Sequence, residues 1–327
     1  MSRCIRLLVA FDGSGYQGWQ RQAHGPTVQG ELERGLATLC GHPVTVHGAG
    51  RTDAGVHALG MVAHCHPAST IPVVAFCKGL NSLLPADIRI LEATEAEAGF
   101  HSRFDAWGKT YRYDFCTAPV QLPSTRLYTA HRPGGFDPAL IMPALATLVG
   151  THDFSSFERS GSRDREATHG RGAVRTLHRA DCAPHPALPD FWSIRLTGDG
   201  FLRQMVRIIS GTLIEMGQSK RNGTEMATIL AARDRTRAGA TAPACGLFLE
   251  TIYYHDPFHA QPPTSCPVFR LCAPGARLCL APPPGLPRPA RPAVPGGAGR
   301  YRRNTAPGRI ARTVRPAHGR GQGRSGG

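Results

Sequence analysis

The segment GAGRTDAGVHA, residues 48–58, places Arg51 and Asp53 one residue apart in a glycine-rich stretch. Its flanks at 44–47 and 59–64 are typical of strands, which puts Asp53 on a tight connection between them. A carboxylate that rigid strands present on a loop, and that a nearby guanidinium keeps ionised, is a candidate catalytic group. An exposed hairpin tip with an ion pair between residues 51 and 53 explains the local sequence equally well.

A second informative segment, residues 201–213, predicts a helix that is apolar on nearly every side and therefore buried. Arg203 and Arg207 lie four residues apart, so they are predicted to share one face of this helix. A buried charge without a partner is costly, and Asp53 is the natural candidate partner for Arg207. A purely structural ion pair explains the pattern equally well.

The alternation of Cys4–Phe11 predicts the first strand. The loop after it has the spacing G-x-G-x-x-G at residues 13–18, which is typical of a dinucleotide-binding turn. That turn requires a helix that opens on the last glycine, whereas Gly25-Pro26 interrupts the chain and the next helix is predicted to start near Thr27. We therefore reject dinucleotide binding and favour an RNA-contacting loop or a plain long turn.

The rest of the first hundred residues predicts a helix over 77–84 and a strand over 88–91. Residues 1–105 thus have the pattern of an α+β unit with a mainly antiparallel sheet. His64 and His66 share a strand face, but no further ligands at a metal-binding spacing accompany them, so no metal site is predicted.

Residues 109–113, KTYRY, alternate like a strand and place Lys109, Tyr111 and Tyr113 on one face. Aromatic rings among cations on a sheet face suit stacking against a nucleobase or ribose. Ordinary packing within a sheet is the alternative interpretation.

The second half repeats the mixture of strands and helices without a visible sequence repeat. Asp137-Pro138 predicts a helix start, and this helix is expected to reach Gly150, with its first turns kinked or loosened by Pro143. The stretch 159–171 is expected to be a mobile loop. Strands are predicted over 174–177 and 191–197, and a further helix over 224–233. The segment 241–250 is predicted as a loop that runs into a last strand, which ends at Tyr254.

The net charge of +15 is concentrated in the C-terminal tail, residues 258–327. This tail holds twelve of the 38 basic residues and none of the 23 acidic ones, so it carries +12 and the first 257 residues only +3. Its composition, rich in proline, glycine and arginine and without periodicity, predicts disorder. A basic tail favours a polyanion such as RNA, although a solvated extension without a partner has the same composition.

Ten scattered cysteines without a C-x-x-C pair favour a reduced intracellular protein. Arg3 and Arg6 interrupt the apolar residues of the N-terminus, so no signal peptide is expected. No run reaches the about 20 apolar residues of a membrane span. We expect a soluble cytoplasmic protein with room for two domains and a large core.

In the order and spacing of its motifs the chain resembles the TruA family of tRNA pseudouridine synthases over about residues 4–256. The loop GRTDAGVHA from Gly50 carries the strongest likeness. Thr110, Gln204 and Cys245 depart from residues that are frequent in that family. The other matching segments are 11–14 with 18–22, Asn81 with 84–88, 100–104, 109–113, 153–157, 201–217, and 242–244 with 246–247.

The resemblance implies an α+β pseudouridine synthase fold, in which two similar α/β-sandwich lobes with mainly antiparallel sheets flank a central cleft. The lobes are expected at 1–105 and 106–257, before the tail. It further implies that family members act as homodimers on uridines 38, 39 and 40 of the tRNA anticodon stem-loop. The implied site residues are Asp53 as the catalytic aspartate, Tyr111 stacking on the target base, Arg207 paired with the aspartate, and Arg51 near the backbone of a flipped nucleotide.

Isomerisation of uridine to pseudouridine breaks the N1–C1′ bond and joins C5 to C1′, so it requires neither a cofactor nor a metal. A carboxylate can attack C1′, attack C6 or act as a base, and the sequence does not choose among these. The base must leave its stack, which calls for an aromatic platform among cations. Two other functions stay open here, namely an RNA-binding protein without catalysis and a nucleotide-dependent enzyme that uses the loop at 13–18.

Overall fold

A computed structural model describes residues 3–162, 171–186 and 188–258. Its centre is a large β-sheet that takes strands from both halves of the chain. The strands are β1 (Cys4–Phe11), β2 (Val46–Gly48), β3 (His57–Cys65), β4 (Ile88–Ala96), β5 (Gly108–Cys116), β6 (Ala130–His131), β7 (Gly150–Asp153), β8 (Val174–Pro184), β9 (Phe191–Gly198) and β10 (Leu247–Tyr253).

Within the described ranges these ten strands form one sheet in the order β4-β1-β3-β10-β5-β9-β8-β7, with β2 added to β3 and β6 to β5. Two pairs are parallel, β3 with β10 and β5 with β6, and the other pairs are antiparallel. The predicted α+β class with a mainly antiparallel sheet is confirmed.

Five α-helices lie in the described ranges, and the first shows how local sequence sets a helix start. The side chain of Thr27 accepts a hydrogen bond from the backbone N–H of Gly30, and Leu32 and Leu36 on the inward face are fully buried. The start predicted near Thr27 is thus confirmed. The helices are α1 (Val28–Cys40), α2 (Val73–Leu83), α3 (Met142–Leu148), α4 (Met205–Gly217) and α5 (Met226–Ala232).

Three helices differ from their predictions at the start. Helix α2 begins at Val73, before the expected residue 77. The segment after Asp137 first forms a short 3₁₀ turn, Pro138–Ile141, and Pro143 then lies in the first turn of α3. Backbone N–H groups in the first turn of a helix have no partner within the helix, so the N–H that proline lacks is not missed there. Pro143 therefore lies at the start of a helix and does not kink it. Helix α5 begins at Met226 after a 3₁₀ turn, Gly223–Glu225.

Helix α4 begins at Met205, so the prediction of helix for residues 201–204 is wrong. Gln204 adopts a left-handed conformation with φ of 62°, which an α-helix does not accommodate. From Met205 onward the helix is buried on nearly all sides, as its composition indicates.

The central pairs bring the two halves of the chain together. The start of β3 pairs with β10 through Phe248 opposite His57, and β10 pairs with β5 through Leu249 opposite Tyr111. The loop that enters β3 therefore lies close to the middle of β5, although the two are far apart in sequence.

No helix in the described ranges is long and apolar enough to cross a membrane. The tail predicted to be disordered, apart from Phe258, and most of the loop predicted to be mobile at 159–171 lie outside the described residues.

Candidate active site

Asp53 lies on the loop between β2 and β3, as predicted. These strands pair through Val46 opposite Cys65 and Gly48 opposite Ala63, which leaves residues 49–56 as the connection. The backbone N–H of Val56 donates to the carbonyl of Asp53 at 3.2 Å, so the chain turns tightly just after the aspartate. The carboxylate is thus presented by a short turn between two paired strands.

The glycine-rich loop at 13–18 packs against the Asp53 loop. The backbone N–H of Trp19 donates to the carbonyl of Thr52 at 3.2 Å, and that of Gly55 donates to the carbonyl of Tyr16 at 3.3 Å. Gly18 has φ of +93°, and a Cβ on it would lie 2.4 Å from the Thr52 oxygen. The glycine at 18 therefore permits a close backbone contact that seats the Asp53 loop, a role that the sequence alone did not indicate.

Two arginines face the carboxylate of Asp53, one at each oxygen. Arg207 donates a hydrogen bond from Nη1 to Oδ2 at 3.2 Å, and Nε of Arg203 lies 4.0 Å from Oδ1. The side chain of Arg207 is 15% exposed and that of Arg203 is 56% exposed. The Arg207 pair is therefore less screened by water and contributes more to holding the carboxylate.

Arg207 is fixed in turn by the segment that leads into β10. Its Nε donates to the carbonyl of Ala242 at 2.8 Å, and the backbone N–H of Ala242 donates to the carbonyl of Arg207 at 3.1 Å. This contact requires glycine at position 211 of α4, because a Cβ there would lie 1.9 Å from the oxygen of Ala240. The guanidinium is consequently held in place before it reaches Asp53.

Arg203 reaches Asp53 by a different route from the one predicted. It precedes α4, so the expected face shared by residues four apart on one helix does not exist at this point. The left-handed residue Gln204 instead redirects the chain, and both arginines converge on the same carboxylate.

Tyr111 lies beside this carboxylate and is 8% exposed. Its ring packs edge-to-face on Phe201, with centroids 5.0 Å apart. Burial raises the pKa of the Tyr111 hydroxyl, and the negative charge of Asp53 adds to the effect, so the ring is a neutral apolar surface at ordinary pH. Tyr113, on the same face of β5, is fully buried and donates its hydroxyl to the carbonyl of Pro243 at 2.9 Å.

Lys109, the third residue on this face of β5, supports the Asp53 loop from its other end. Its Nζ donates to the carbonyl of Ala49 at 2.8 Å. Burial lowers the pKa of Lys109 to about 8, and the positive charge of Arg103 contributes to the shift. Its ammonium therefore titrates close to physiological pH.

Asp53 and Tyr111 open onto a cleft of about 870 Å³, within the range of sites that hold small molecules and large enough for a nucleoside. Asp53 is the sole carboxylate among the described lining residues, and seven cationic side chains surround it. All four residues singled out from the sequence line this cleft, with Arg51 on its exposed side. The cations are Arg21, Arg51, Arg103, Lys109, Arg159, Arg203 and Arg207.

Sequence reasoning assigned no role to Phe201 or Arg159, which also line the cleft, because nothing in their local pattern marks them. Of the three departures from the family pattern, Gln204 lines the cleft. Thr110 shares a hydrogen bond with Thr197, 2.7 Å between the hydroxyl oxygens, and Cys245 approaches the carbonyl of Thr129 at 3.7 Å, so both serve local packing.

The histidine pair considered for a metal, His64 and His66, has ring centroids 5.5 Å apart. Over the described residues no group of three or more histidine, cysteine, aspartate or glutamate side chains is arranged to hold a metal ion.

Comparison with known proteins places the chain among sequence relatives. The family model described as tRNA pseudouridine synthase matches residues 7–105 and 144–255, which is more than half of the chain. A relative named tRNA pseudouridine synthase A 1, from Desulfotalea psychrophila, is 46% identical over 252 residues, 77% of this chain and 100% of its own length. Another relative, named tRNA pseudouridine synthase A, from Geotalea uraniireducens, is 42% identical over 252 residues, which cover 77% of this chain and 100% of the relative.

Among solved structures, a chain from a Cbf5-Nop10-Gar1 complex aligns with 64% of this chain and 54% of its own length, at 10% identity and a TM-score of 0.26.

Proposed function

Because the chain belongs to the tRNA pseudouridine synthase family, and is therefore an isomerase that acts on tRNA, we propose that Asp53 is its catalytic group. We further propose that its targets are uridines 38, 39 and 40 of the anticodon stem-loop. The observation that carries the proposal is the position of Asp53, a carboxylate held by Arg207 at 3.2 Å on the wall of an open, nucleoside-sized cleft.

The reaction exchanges one glycosidic bond for another. The N1–C1′ bond breaks, the freed uracil turns, C5 bonds to C1′, and the C5 proton is lost while N1 gains one. Asp53 acts at C1′ or C6 or as the base that takes a proton, and its ion pair with Arg207 keeps the carboxylate oriented towards the cleft. Neither a redox change nor a metal is required by this balance of bonds.

Tyr111 is the proposed platform for the target base. Its buried ring is fixed by Phe201 and opens onto the same cleft as Asp53. A uridine taken out of its stack loses contacts with its neighbours, and stacking on a fixed aromatic ring replaces part of them. Arg51, on the exposed side of the cleft, is proposed to hold the backbone next to the flipped nucleotide.

The cationic lining is proposed to hold the phosphates of the anticodon stem-loop. Among the described lining residues, seven cations around a single carboxylate favour a polyanion over a neutral or cationic ligand. The homodimer and the cytoplasmic location are proposed from the family resemblance. Sedimentation of the purified protein measures the first, and cell fractionation the second.

The direct test maps pseudouridine in tRNA transcripts before and after treatment with the purified protein. Transcripts that carry a single uridine at 38, 39 or 40 are compared with one that has uridine only at 55, outside the anticodon stem-loop. We expect pseudouridine in the first three and not in the fourth. Modification confined to other positions would overturn the assignment of the target while leaving the reaction intact.

The Asp53→Asn variant separates catalysis from binding. It is expected to fold and to bind tRNA, yet to form no pseudouridine, because the amide is neither a nucleophile nor a base. Glu92→Gln, the same neutralisation on the exposed edge strand β4, is the matched control and should be fully active. Normal turnover by Asp53→Asn would remove Asp53 from the mechanism, and binding without turnover by the wild-type protein would identify an RNA-binding protein.

A further inference from the structure

The short turn at residues 101–105, which reaches the rim of the cleft through Arg103, exposes an aromatic ring that the site described above does not use. Phe104 is 75% exposed, whereas the other phenylalanines of the folded part are mostly buried. A single exposed apolar side chain is ordinary on a protein surface, so the exposure of Phe104 gains meaning only from its surroundings.

The turn is rigid, so the exposure of Phe104 is built into the fold. Nδ1 of His101 accepts hydrogen bonds from the backbone N–H groups of Arg103 at 3.1 Å and Phe104 at 3.2 Å. The backbone N–H of His101 donates to the carboxylate of Asp105 at 2.8 Å, and that of Asp105 donates back to the carbonyl of His101 at 3.1 Å. These four bonds fix the backbone at both ends of the turn.

The imidazole of His101 forms a second aromatic layer behind the exposed ring. Its centroid lies 4.1 Å from that of Phe104 with the planes at 30°, and it packs in turn on His64 at 4.7 Å. The phenyl ring is thus stacked on one side, while most of its surface stays open to solvent. A ring preorganised in this way loses little conformational entropy when a flat ligand stacks on it.

Arg103 connects this ring to the cleft. Its guanidinium carbon lies 5.9 Å from the centroid of Phe104, and its side chain lines the cleft together with Lys109 and Asp53. An exposed aromatic ring beside a cation, continuous with a groove rich in positive charge, is the arrangement with which proteins bind single-stranded nucleic acid.

We propose that Phe104 is a stacking site for an unpaired base of the tRNA loop, distinct from the target uridine, and that Arg103 holds the adjoining phosphate. The proposal rests on the proposed function in one respect, namely that the ligand is tRNA. Tyr111 is 8% exposed inside the cleft and takes the reacting base, whereas Phe104 at the rim takes a neighbouring base and so orients the loop. The ligand is a base with a free face, so duplex RNA does not use this site.

The test measures the dissociation constant of an unmodified tRNA transcript over a range of salt concentrations, without reference to turnover. Phe104→Ala is expected to weaken binding about tenfold, equivalent to about 1.4 kcal/mol, within the range of one base–aromatic stack. Phe104→Trp should restore the affinity, while Phe104→Leu, apolar but without a π-face, should not. When turnover is measured, Phe104→Ala should raise the KM for tRNA.

Salt dependence separates the two side chains. The plot of log K against log salt concentration has a negative slope, and each phosphate contact removed makes it shallower by about 0.7 for a single strand. Arg103→Gln is therefore expected to reduce that slope, whereas Phe104→Ala should shift the line without changing its slope. A duplex RNA of equal length should bind the wild type and Phe104→Ala equally.

Val74→Ala removes another exposed apolar side chain, 64% exposed on α2, and is the matched control that should leave the affinity unchanged. Equal affinity of wild type, Phe104→Ala and Phe104→Trp would overturn the proposal. So would a change of oligomeric state in Phe104→Ala, which would assign the ring to a contact between copies of the chain. Failure to form pseudouridine, with the Phe104 effect on binding intact, would count against the proposed function alone.

Discussion

The unequal placement of the two arginines around Asp53 predicts unequal effects on catalysis. Arg207→Gln removes a hydrogen-bonded partner at 3.2 Å whose side chain is 15% exposed, and Arg203→Gln removes one at 4.0 Å that is 56% exposed. Both changes take one positive charge from the same carboxylate, so they form a matched pair. The difference between them isolates the effect of geometry and burial.

The magnitudes follow from Coulomb's law with the dielectric appropriate to each place. At 3.2 Å and an effective dielectric constant of about 20, the gross attraction of the Arg207 pair is about 5 kcal/mol. At 4.0 Å close to water, that of Arg203 is about 1 kcal/mol before its screening and side-chain entropy are subtracted. Loss of about 3 kcal/mol of the Arg207 attraction from the transition state lowers the rate about 10²-fold in Arg207→Gln. Loss of the whole Arg203 attraction lowers the rate at most about fivefold in Arg203→Gln.

The assay is single-turnover release of tritium from tRNA that carries uridine labelled at C5, at saturating enzyme. This measures the chemical step, and the dissociation constant is determined separately for each variant. Arg207→Lys keeps the charge but loses the geometry in which Nε binds Ala242 while Nη1 binds Asp53, so it should fall between the other two. An Arg203→Gln defect equal to or larger than that of Arg207→Gln, with both proteins folded by circular dichroism, would refute this reasoning.

Three further changes test the surroundings of the site. Gly18→Ala should lower activity at least about tenfold and reduce thermal stability, because the backbone has φ of +93° and an added Cβ would lie 2.4 Å from the Thr52 oxygen. The control is Gly15→Ala, where an added Cβ has no atom within 4 Å, and it should change neither activity nor stability. The affinity for tRNA at fixed salt should weaken as pH rises through about 8, where Lys109 loses its charge. Lys109→Arg, which stays charged, should make the affinity less dependent on pH. The same pH dependence in this variant and in the wild type would exclude Lys109 as a phosphate contact. Deletion of residues 258–327 should leave activity largely intact, since the family match ends at residue 255, and complete loss would show that the tail takes part in catalysis.

Features governed by local rules were predictable from the sequence. The strands around the Asp53 loop and the start of α1 at Thr27 depend on alternation, on glycine and on a capping side chain, all of which act within a few residues. The approach of Arg207 to Asp53 was predictable for another reason. A buried helix that carries a cation needs an acidic partner, and Asp53 was the candidate presented on a loop.

The start of α4 was not predictable, because a distant contact decides it. Residues 201–204 continue the helical pattern, but the carbonyl of Arg203 accepts a hydrogen bond from the backbone N–H of Arg159 at 3.1 Å. That bond belongs to a different part of the chain and favours the left-handed turn at Gln204 over another helical turn. Likewise, the role of Gly18 becomes visible only when the Asp53 loop lies against it.

The charge of the chain shows most clearly what folding adds. The first 257 residues carry a net charge of only +3, so the sequence assigns nearly all of the positive charge to the tail. Folding segregates these charges, since the cleft has seven cations and one carboxylate among its described lining residues. Acidic residues lie elsewhere, as on the opposite face of β5 and β10, where Asp114 and Glu250 pair with Arg112. The folded part therefore has a positive field of its own around Asp53, which is the physical reason to expect that removal of the tail leaves catalysis largely intact.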